Sequence, residues 1–395
     1  MTTDEQKQPA EAPTQTEKPK QLLTNSRMSA FKECPRKHFY LYEAGIRTVK
    51  TEPPLRFGSQ FHRGLEIYNK TGDLESAIKT AIEPYQFYPS WIQDDADKNR
   101  FDDERTVLIE LLAAHVEYWE KAGETVVIDR PESVFRVPIR NPITGRESRN
   151  FDAAGQRDGI GIWKATRRVL VEYKTTSSDI DPESVYWQRL MIDPQISLYF
   201  LATLQEGEAI DGVLYDVTRK PQANIFYRQE IPELDEDGKR MIFWKATGER
   251  VLNKDGSPAQ RAPSGQAENV MTLTRPETFV EHSARIRADI DARPQWYFQR
   301  REITRTPAEL EEFQQELWHV AQQIRYSQLH EIHPKNGNIC FRYYGSRPCP
   351  YWDICTTGRR LEQMSDADIA GAGFERLDNI HPELIAEDRS QSAAD

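Results

Sequence analysis

The stretch from Gly155 to Thr176 constrains the fold more than any other. Val169, Val171 and Tyr173 alternate with Leu170, Glu172 and Lys174, the period of two that marks a strand. Alternation puts Glu172 and Lys174 on one face. With Lys164–Thr166 as the turn, Asp158 and Glu172 stand equally far from Ala165, so they oppose each other across a β-hairpin. Directly opposed side chains sit roughly 5 Å apart. Two carboxylates that close repel unless a positive charge lies between them. A divalent cation with oxygen ligands meets that need, and a lysine beside it can orient or deprotonate a water. A solvated hairpin face carrying a salt bridge fits the same three residues, and the motif alone leaves both readings open.

A formal net charge of −11 argues at first against a nucleic-acid partner. Its distribution changes that. Residues 361–395 carry nine acids and two bases, and residues 1–20 carry four acids and three bases, which leaves about −3 for the rest. A nearly neutral core can still carry a basic groove. No apolar run is long enough to span a membrane, and the N-terminus lacks an apolar signal core. A cytoplasmic protein with no membrane partner is expected, in which the four cysteines stay reduced.

Residues 1–24 read as a disordered, Pro/Gln/Glu-rich tail and residues 361–395 as an acidic tail. Between them, residues 25–360 are expected to form one domain. Ser29 to Tyr42 reads as a helix, a Cys-Pro break and an aromatic helix. Ser59 reads as a helix N-cap, which places His62 in a first turn, where the helix dipole disfavours a protonated imidazole. A neutral imidazole can bind a metal; an ordinary surface or core histidine is the alternative. Residues 71–122 read as helical, with Leu108, Leu111, Leu112, His115, Val116 and Trp119 on one buried face. Strands follow from Glu132, across the hairpin, and again at Gly212–Val217. Asp193-Pro194 opens a helix that carries Gln195 and Tyr199 on one face. The order strand, strand, strand, helix, strand predicts an α/β core with a mixed sheet, its catalytic part at about 125–220. Residues 233–268 read as a polar surface excursion. Six arginines between 285 and 305, interleaved with Trp296, Tyr297 and Phe298, suit either a single-stranded nucleic-acid path or a helix laid against the core. Thr306 to Glu309 is a capping box opening a long helix.

Cys340, Cys349 and Cys355 give the spacing C-x8-C-x5-C, and Cys34 lies far upstream. Four thiolates fit tetrahedral zinc or an iron–sulfur cluster, and isolated buried cysteines are the simpler alternative. Zinc sites usually pair cysteines more closely than this, so the spacing favours a cluster.

Taken in order, these motifs resemble the RecB-like branch of the PD-(D/E)XK nucleases, including CRISPR-associated and AddB-type exonucleases that carry an iron–sulfur cluster. Cys34-Pro35-Arg36-Lys37 is similar to the first cluster cysteine of that family, and Gly58 to His62 to its histidine motif. Asp158 stands where the family has an acidic residue after a glycine-led turn. Glu172-Tyr173-Lys174 matches E-x-K, and Gln195 to Tyr199 matches Q-x3-Y. Cys340, Cys349 and Cys355 resemble the closing cysteines, although the first gap is eight residues here and commonly two in the family. Glu132 is similar to an auxiliary acidic position. The resemblance implies a restriction-endonuclease-like core of mixed sheet and flanking helices, stapled by a 4Fe–4S cluster on Cys34, Cys340, Cys349 and Cys355. It implies an Mg²⁺- or Mn²⁺-dependent deoxyribonuclease acting on single-stranded DNA ends in recombination, repair or processing, beside a helicase or recombination partner. His62, Asp158 and Glu172 are then the metal ligands, with the Tyr173 carbonyl a further one. Lys174 positions the attacking water, and Gln195 and Tyr199 contact the DNA or orient the site. The rival expectation is a DNA-binding or recombination scaffold that keeps fold and cluster without cutting.

Overall fold

A computed structural model describes residues 19–49, 53–341, 348–358, 361–381 and 384. Six strands make the main sheet: β1 (Gln21–Leu23), β2 (Val126–Arg140), β3 (Glu147–Trp163), β4 (Arg167–Thr176), β5 (Gly212–Arg219) and β6 (Phe298–Ile303). The hairpin forms in the expected register. Lys164 and Ala165 take left-handed φ values of 49° and 63°, and the ladder runs from Trp163↔Arg167 to Gly159↔Val171.

There the two strands part. β4 continues alongside β5, in parallel, as far as Thr176. β3 continues on its other edge with β2. The edge that β4 has left is taken up further along by β1, which pairs in parallel with Phe151–Ala153. The sheet is therefore mixed, and it is open along one edge of β3 between Ala154 and Asp158.

Helices cover both faces: α1 (Asn25–Glu33), α2 (Pro53–Thr71), α3 (Asp95–Ala122), α4 (Pro194–Gln205), α5 (Phe279–Ala292) and α6 (Pro307–His330). The alternation along β4 decides which helix meets which side chain. Val169, Val171 and Tyr173 pack with Phe57, Phe61, Leu108, Leu112 and Ile286 of α2, α3 and α5. Leu170 packs on the other face with Ile196 and Leu198 of α4 and Leu317 and Ile324 of α6. Each such side chain contributes about 1.5–3 kcal/mol when fully buried. The end signals are as expected. The Asp193 side chain caps α4, with Pro194 in its first turn, and the Thr306–Glu309 box caps α6.

Four expectations need correction. Residues 21–24 are not tail: β1 joins the sheet, and buried Arg27 holds it by donating to the Leu22 carbonyl and to Gln21 Oε1. The C-terminal segment is folded at least to Arg376. Phe374–Arg376 pairs with Ile46–Thr48, and Ile369 and Phe374 are buried with Tyr40, Ile46 and Tyr351. Residues 1–18 and 385–395 lie outside the described residues. His62 is not in a first turn, because α2 starts at Pro53, well before Ser59. The helical stretch 71–122 is interrupted after Thr71, where Gly72 takes φ 68°, and again between Tyr85 and Asp95, around Pro89. The excursion at 233–268 contributes one strand, Ile242–Trp244, to a small two-stranded pairing with Val270–Thr272, and that strand does not join the main sheet. No helix among the described residues is long and apolar enough to cross a membrane.

Gly161 sets how closely β2 can lie on β3. A Cβ there would sit 2.3 Å from the Val127 carbonyl oxygen and 2.9 Å from Ile128 Cα. Both are backbone atoms beside a register shift, so neither side chain can turn aside. Gly161→Ala is expected to destabilise the fold by about 1–3 kcal/mol, read as a lower urea midpoint with unchanged m. An unchanged midpoint would show that β2 can move away freely.

Candidate active site

The parting of β3 and β4 leaves backbone groups without ladder partners, and side chains take their place. The Tyr173 N–H donates to Asp158 Oδ2 at 2.8 Å. The Gln156 carbonyl accepts from the Tyr199 hydroxyl at 3.0 Å. Asp158 and Glu172 stand one step beyond the last ladder pair, where the hairpin opens. α2 brings His62 to the same spot, with Nδ1 3.3 Å from Asp158 Oδ1. Lys174 Nζ is ion-paired to Glu172 Oε1 and lies 3.2 Å from Gln195 Oε1, to which it donates. Gln195 Nε2 in turn donates to the Tyr199 oxygen at 2.6 Å. His62, Asp158, Glu172, Lys174, Gln195 and Tyr199 thus meet in one place, linked hand to hand from Lys174 to the open edge of β3.

Charge is balanced inside this group. Burial would raise the Asp158 carboxyl, but His62, Lys174 and the Tyr173 N–H outweigh it and hold it below the usual range. Glu172 goes the other way: burial, with the nearby Asp158 charge, pushes it up despite Lys174. Burial works against charge on Lys174 and His62 too, yet the two carboxylates overcome it and raise both. The expected neutral His62 is therefore replaced by a histidine that favours its proton while it faces Asp158. Tyr199 is held far above its ordinary value, by burial first and then by Glu172 and Asp158, so its hydroxyl remains a donor.

One atom is left over. Glu172 is 2% exposed, and its Oε2 accepts no hydrogen bond. A buried carboxylate oxygen without a donor costs free energy, and a hard cation relieves it. Among the described residues no three His, Cys, Asp or Glu side chains converge tightly enough to hold an ion as they stand. The acids are engaged with His62 and Lys174 instead. The donor set suits Mg²⁺ or Mn²⁺, and taking one up requires His62 and Lys174 to let go of the carboxylates.

Two further acids adjoin the site. Glu66 lies one helical turn after His62 on α2, a spacing that alone could have drawn attention to it. Glu132, on β2, accepts from Gln156 Nε2. Burial, then the Glu66 carboxylate, pushes Glu132 up to about 8.

The arginines between 285 and 305 do not line a strand path. Arg285 is engaged by Glu277, Arg287 by Glu117, Arg293 by Asp289 and Arg300 by Asp216. Arg301 and Arg305 donate to the Pro182 and Leu190 carbonyls. Tyr297 and Phe298 are buried. The helix against the core forms as far as Ala292, and Phe298–Ile303 forms strand β6 of the main sheet.

The four cysteines also come together. Cys34, Cys340, Cys349 and Cys355 line one cavity of about 240 Å³, with Tyr40, Tyr351 and Trp352 around them. The eight-residue gap is closed at its base, where the Cys349 N–H donates to the Cys340 carbonyl at 2.6 Å. Arg36 fixes the opposite wall through the His333 and Pro334 carbonyls.

In the folded chain Glu132 keeps its proton to about pH 8, against an ordinary value of 4.5. Stability from this group is full below about 4.5 and is lost as the pH climbs to about 8. Glu132→Gln should therefore gain in melting temperature on the parent protein between those limits and no further above them, with chelator present. Parallel pH profiles of the two proteins would contradict the shift.

The comparisons agree with this arrangement at the level of the family. No curated protein matches the chain. A solved structure, that of SSO0001, is similar over 48% of this chain and 71% of its own at 14% identity, with a TM-score of 0.18 that is too low to speak for a shared fold. The model of the PD-(D/E)XK nuclease superfamily matches residues 23–356, most of the length and all of the site, and the chain belongs to that superfamily.

Proposed function

We propose that the protein is a divalent-metal-dependent deoxyribonuclease, acting as an exonuclease on single-stranded DNA ends in recombination, repair or processing. The observation that carries this is the opened hairpin, where Asp158, Glu172 and Lys174 meet His62. His62, Asp158 and Glu172 would hold Mg²⁺ or Mn²⁺, with the Tyr173 carbonyl as a further ligand. A bound ion of this kind polarises a phosphate and lowers the pKa of a ligated water. The rest falls to the chain. Lys174, freed from Glu172, orients the attacking water and balances the charge that grows on the phosphate. Gln195 sets the position of Lys174, and Tyr199 sets that of Gln195. Of the roles open to this last pair, we assign orientation of the site, because Tyr199 is buried and spends its proton on the Gln156 carbonyl.

We further propose that the cysteines hold a 4Fe–4S cluster. Zinc–sulfur bonds of about 2.3 Å draw four sulfurs to within about 4 Å of one another. The four thiols share one cavity, and C-x8-C-x5-C lacks the close cysteine pairs that zinc sites usually show. A cluster suits that spacing. It would join α1 to the C-terminal segment, and the free energy of its binding is folding free energy. DNA as substrate and a helicase or recombination partner follow from the family resemblance.

With Mg²⁺ or Mn²⁺ the protein should release nucleotides from labelled single-stranded DNA. Lys174→Ala should cut it roughly a hundredfold or more slowly, in line with loss of a group that acts on the transition state, while DNA binding persists. Undiminished cutting by this variant would remove Lys174 from the reaction. Protein purified without oxygen should be brown and contain about four iron and four sulfide per chain, and Cys349→Ala should lose iron and melt earlier. Stoichiometric zinc, or a colourless, stable, metal-free protein, would rule out the cluster.

A further inference from the structure

Between β4 and α4 the chain makes two short turns, Val185–Gln188 and Arg189–Ile192. Their side chains divide sharply. Tyr186, Trp187 and Leu190 are buried in the core beneath β4 and α4. Trp187 donates to the Ile180 carbonyl, and Arg305 donates to the Leu190 and Asp193 carbonyls from below. The turn is thus tied down at both ends. In the same turns Val185, Met191 and Ile192 are 74%, 64% and 86% exposed. Residues 189–192 form a 3₁₀ turn, in which positions three apart eclipse, so Arg189 and Ile192 stand in line. Arg189 lies over the Tyr186 ring at 4.1 Å, and no carboxylate among the described residues is within salt-bridge distance of it. Asp193, the residue after Ile192, caps the helix whose Gln195 accepts from Lys174. An anchored turn with exposed apolar side chains, and a cation held over Tyr186 without a carboxylate partner among the described residues, therefore leads directly into the helix that carries Gln195.

We propose that this ledge receives the nucleobase next to the scissile phosphate, Met191 and Ile192 lying against its face and Arg189 meeting the adjoining phosphate. The proposal rests on the nuclease reading above and adds a reason for preferring unpaired strands: a base held within a duplex cannot lie on the ledge. Exposing three large apolar side chains on an anchored turn is costly unless something covers them, and every base offers an apolar face. The position of the ledge directly before the helix whose Gln195 accepts from Lys174 favours the substrate over a protein partner as that cover.

The test separates bases from phosphates. Binding of oligo-thymidylate and of a same-length oligomer of abasic sites is measured by fluorescence anisotropy with Ca²⁺, and cutting of the same strands is followed with Mg²⁺. The parent protein should bind the thymidylate at least fivefold more tightly than the abasic strand. In Met191→Ser with Ile192→Ser, both exposed and so compatible with folding, most of that ratio should disappear. Arg189→Ala should weaken both strands alike and reduce the salt slope by about one. An equal preference for bases in parent and double variant overturns the ledge, whatever the cutting assay gives. Failure of the parent protein to cut any strand overturns the nuclease reading, while the binding ratio still judges the ledge.

Discussion

The separation of β3 from β4 at Gly159↔Val171 is the constraint on which the site depends. An intact ladder would pair the backbone of Asp158 and Glu172 and leave no opening. Because the strands part, the Tyr173 N–H and the Gln156 carbonyl need new partners, and Asp158 and Tyr199 supply them. Backbone satisfaction and site assembly are thus the same event. Unpaired buried backbone groups are rare because they cost about as much as a lost hydrogen bond, and this requirement sets where a carboxylate and a phenol sit.

A second consequence concerns charge. Glu172 is buried, Asp158 lies half-buried close to it, and the two carboxylates would repel. His62 and Lys174 carry the positive charge that this arrangement demands, and each is biased toward its protonated form. The site is in this sense closed upon itself. A divalent ion held here would have to displace those two cations from the carboxylates. Glu172 Oε2 is left without a hydrogen-bond partner.

Much of this was legible in the sequence, for identifiable reasons. Period-two alternation in 169–174 and a three-residue turn determine a register without any tertiary knowledge, and the opposition of Asp158 to Glu172 follows. Asp193-Pro194 and Thr306 to Glu309 are local capping signals and hold locally. His62 was misplaced within its helix because Ser59 looks like a cap, although α2 begins at Pro53. β1 was invisible because three residues carry no period, and it forms only as a parallel partner for Phe151–Ala153. The arginine and aromatic run was ambiguous because cations that bind phosphate and cations that bind carboxylate look alike until Glu277, Glu117, Asp289 and Asp216 are seen beside them. The raised Glu132 was beyond reach for the same reason: its shift comes from burial first and then from Glu66 and Asp158, all of which depend on residues distant in sequence.

The central claim is that His62, Asp158 and Glu172, brought together by the open hairpin, hold one divalent ion. Titration of metal-free protein with Mn²⁺, followed through the electron-paramagnetic-resonance signal of the free ion, tests it without reference to DNA or turnover. One Mn²⁺ should bind per chain, and Asp158→Asn should weaken that binding at least tenfold while the protein remains folded. Undiminished binding in Asp158→Asn would contradict the account.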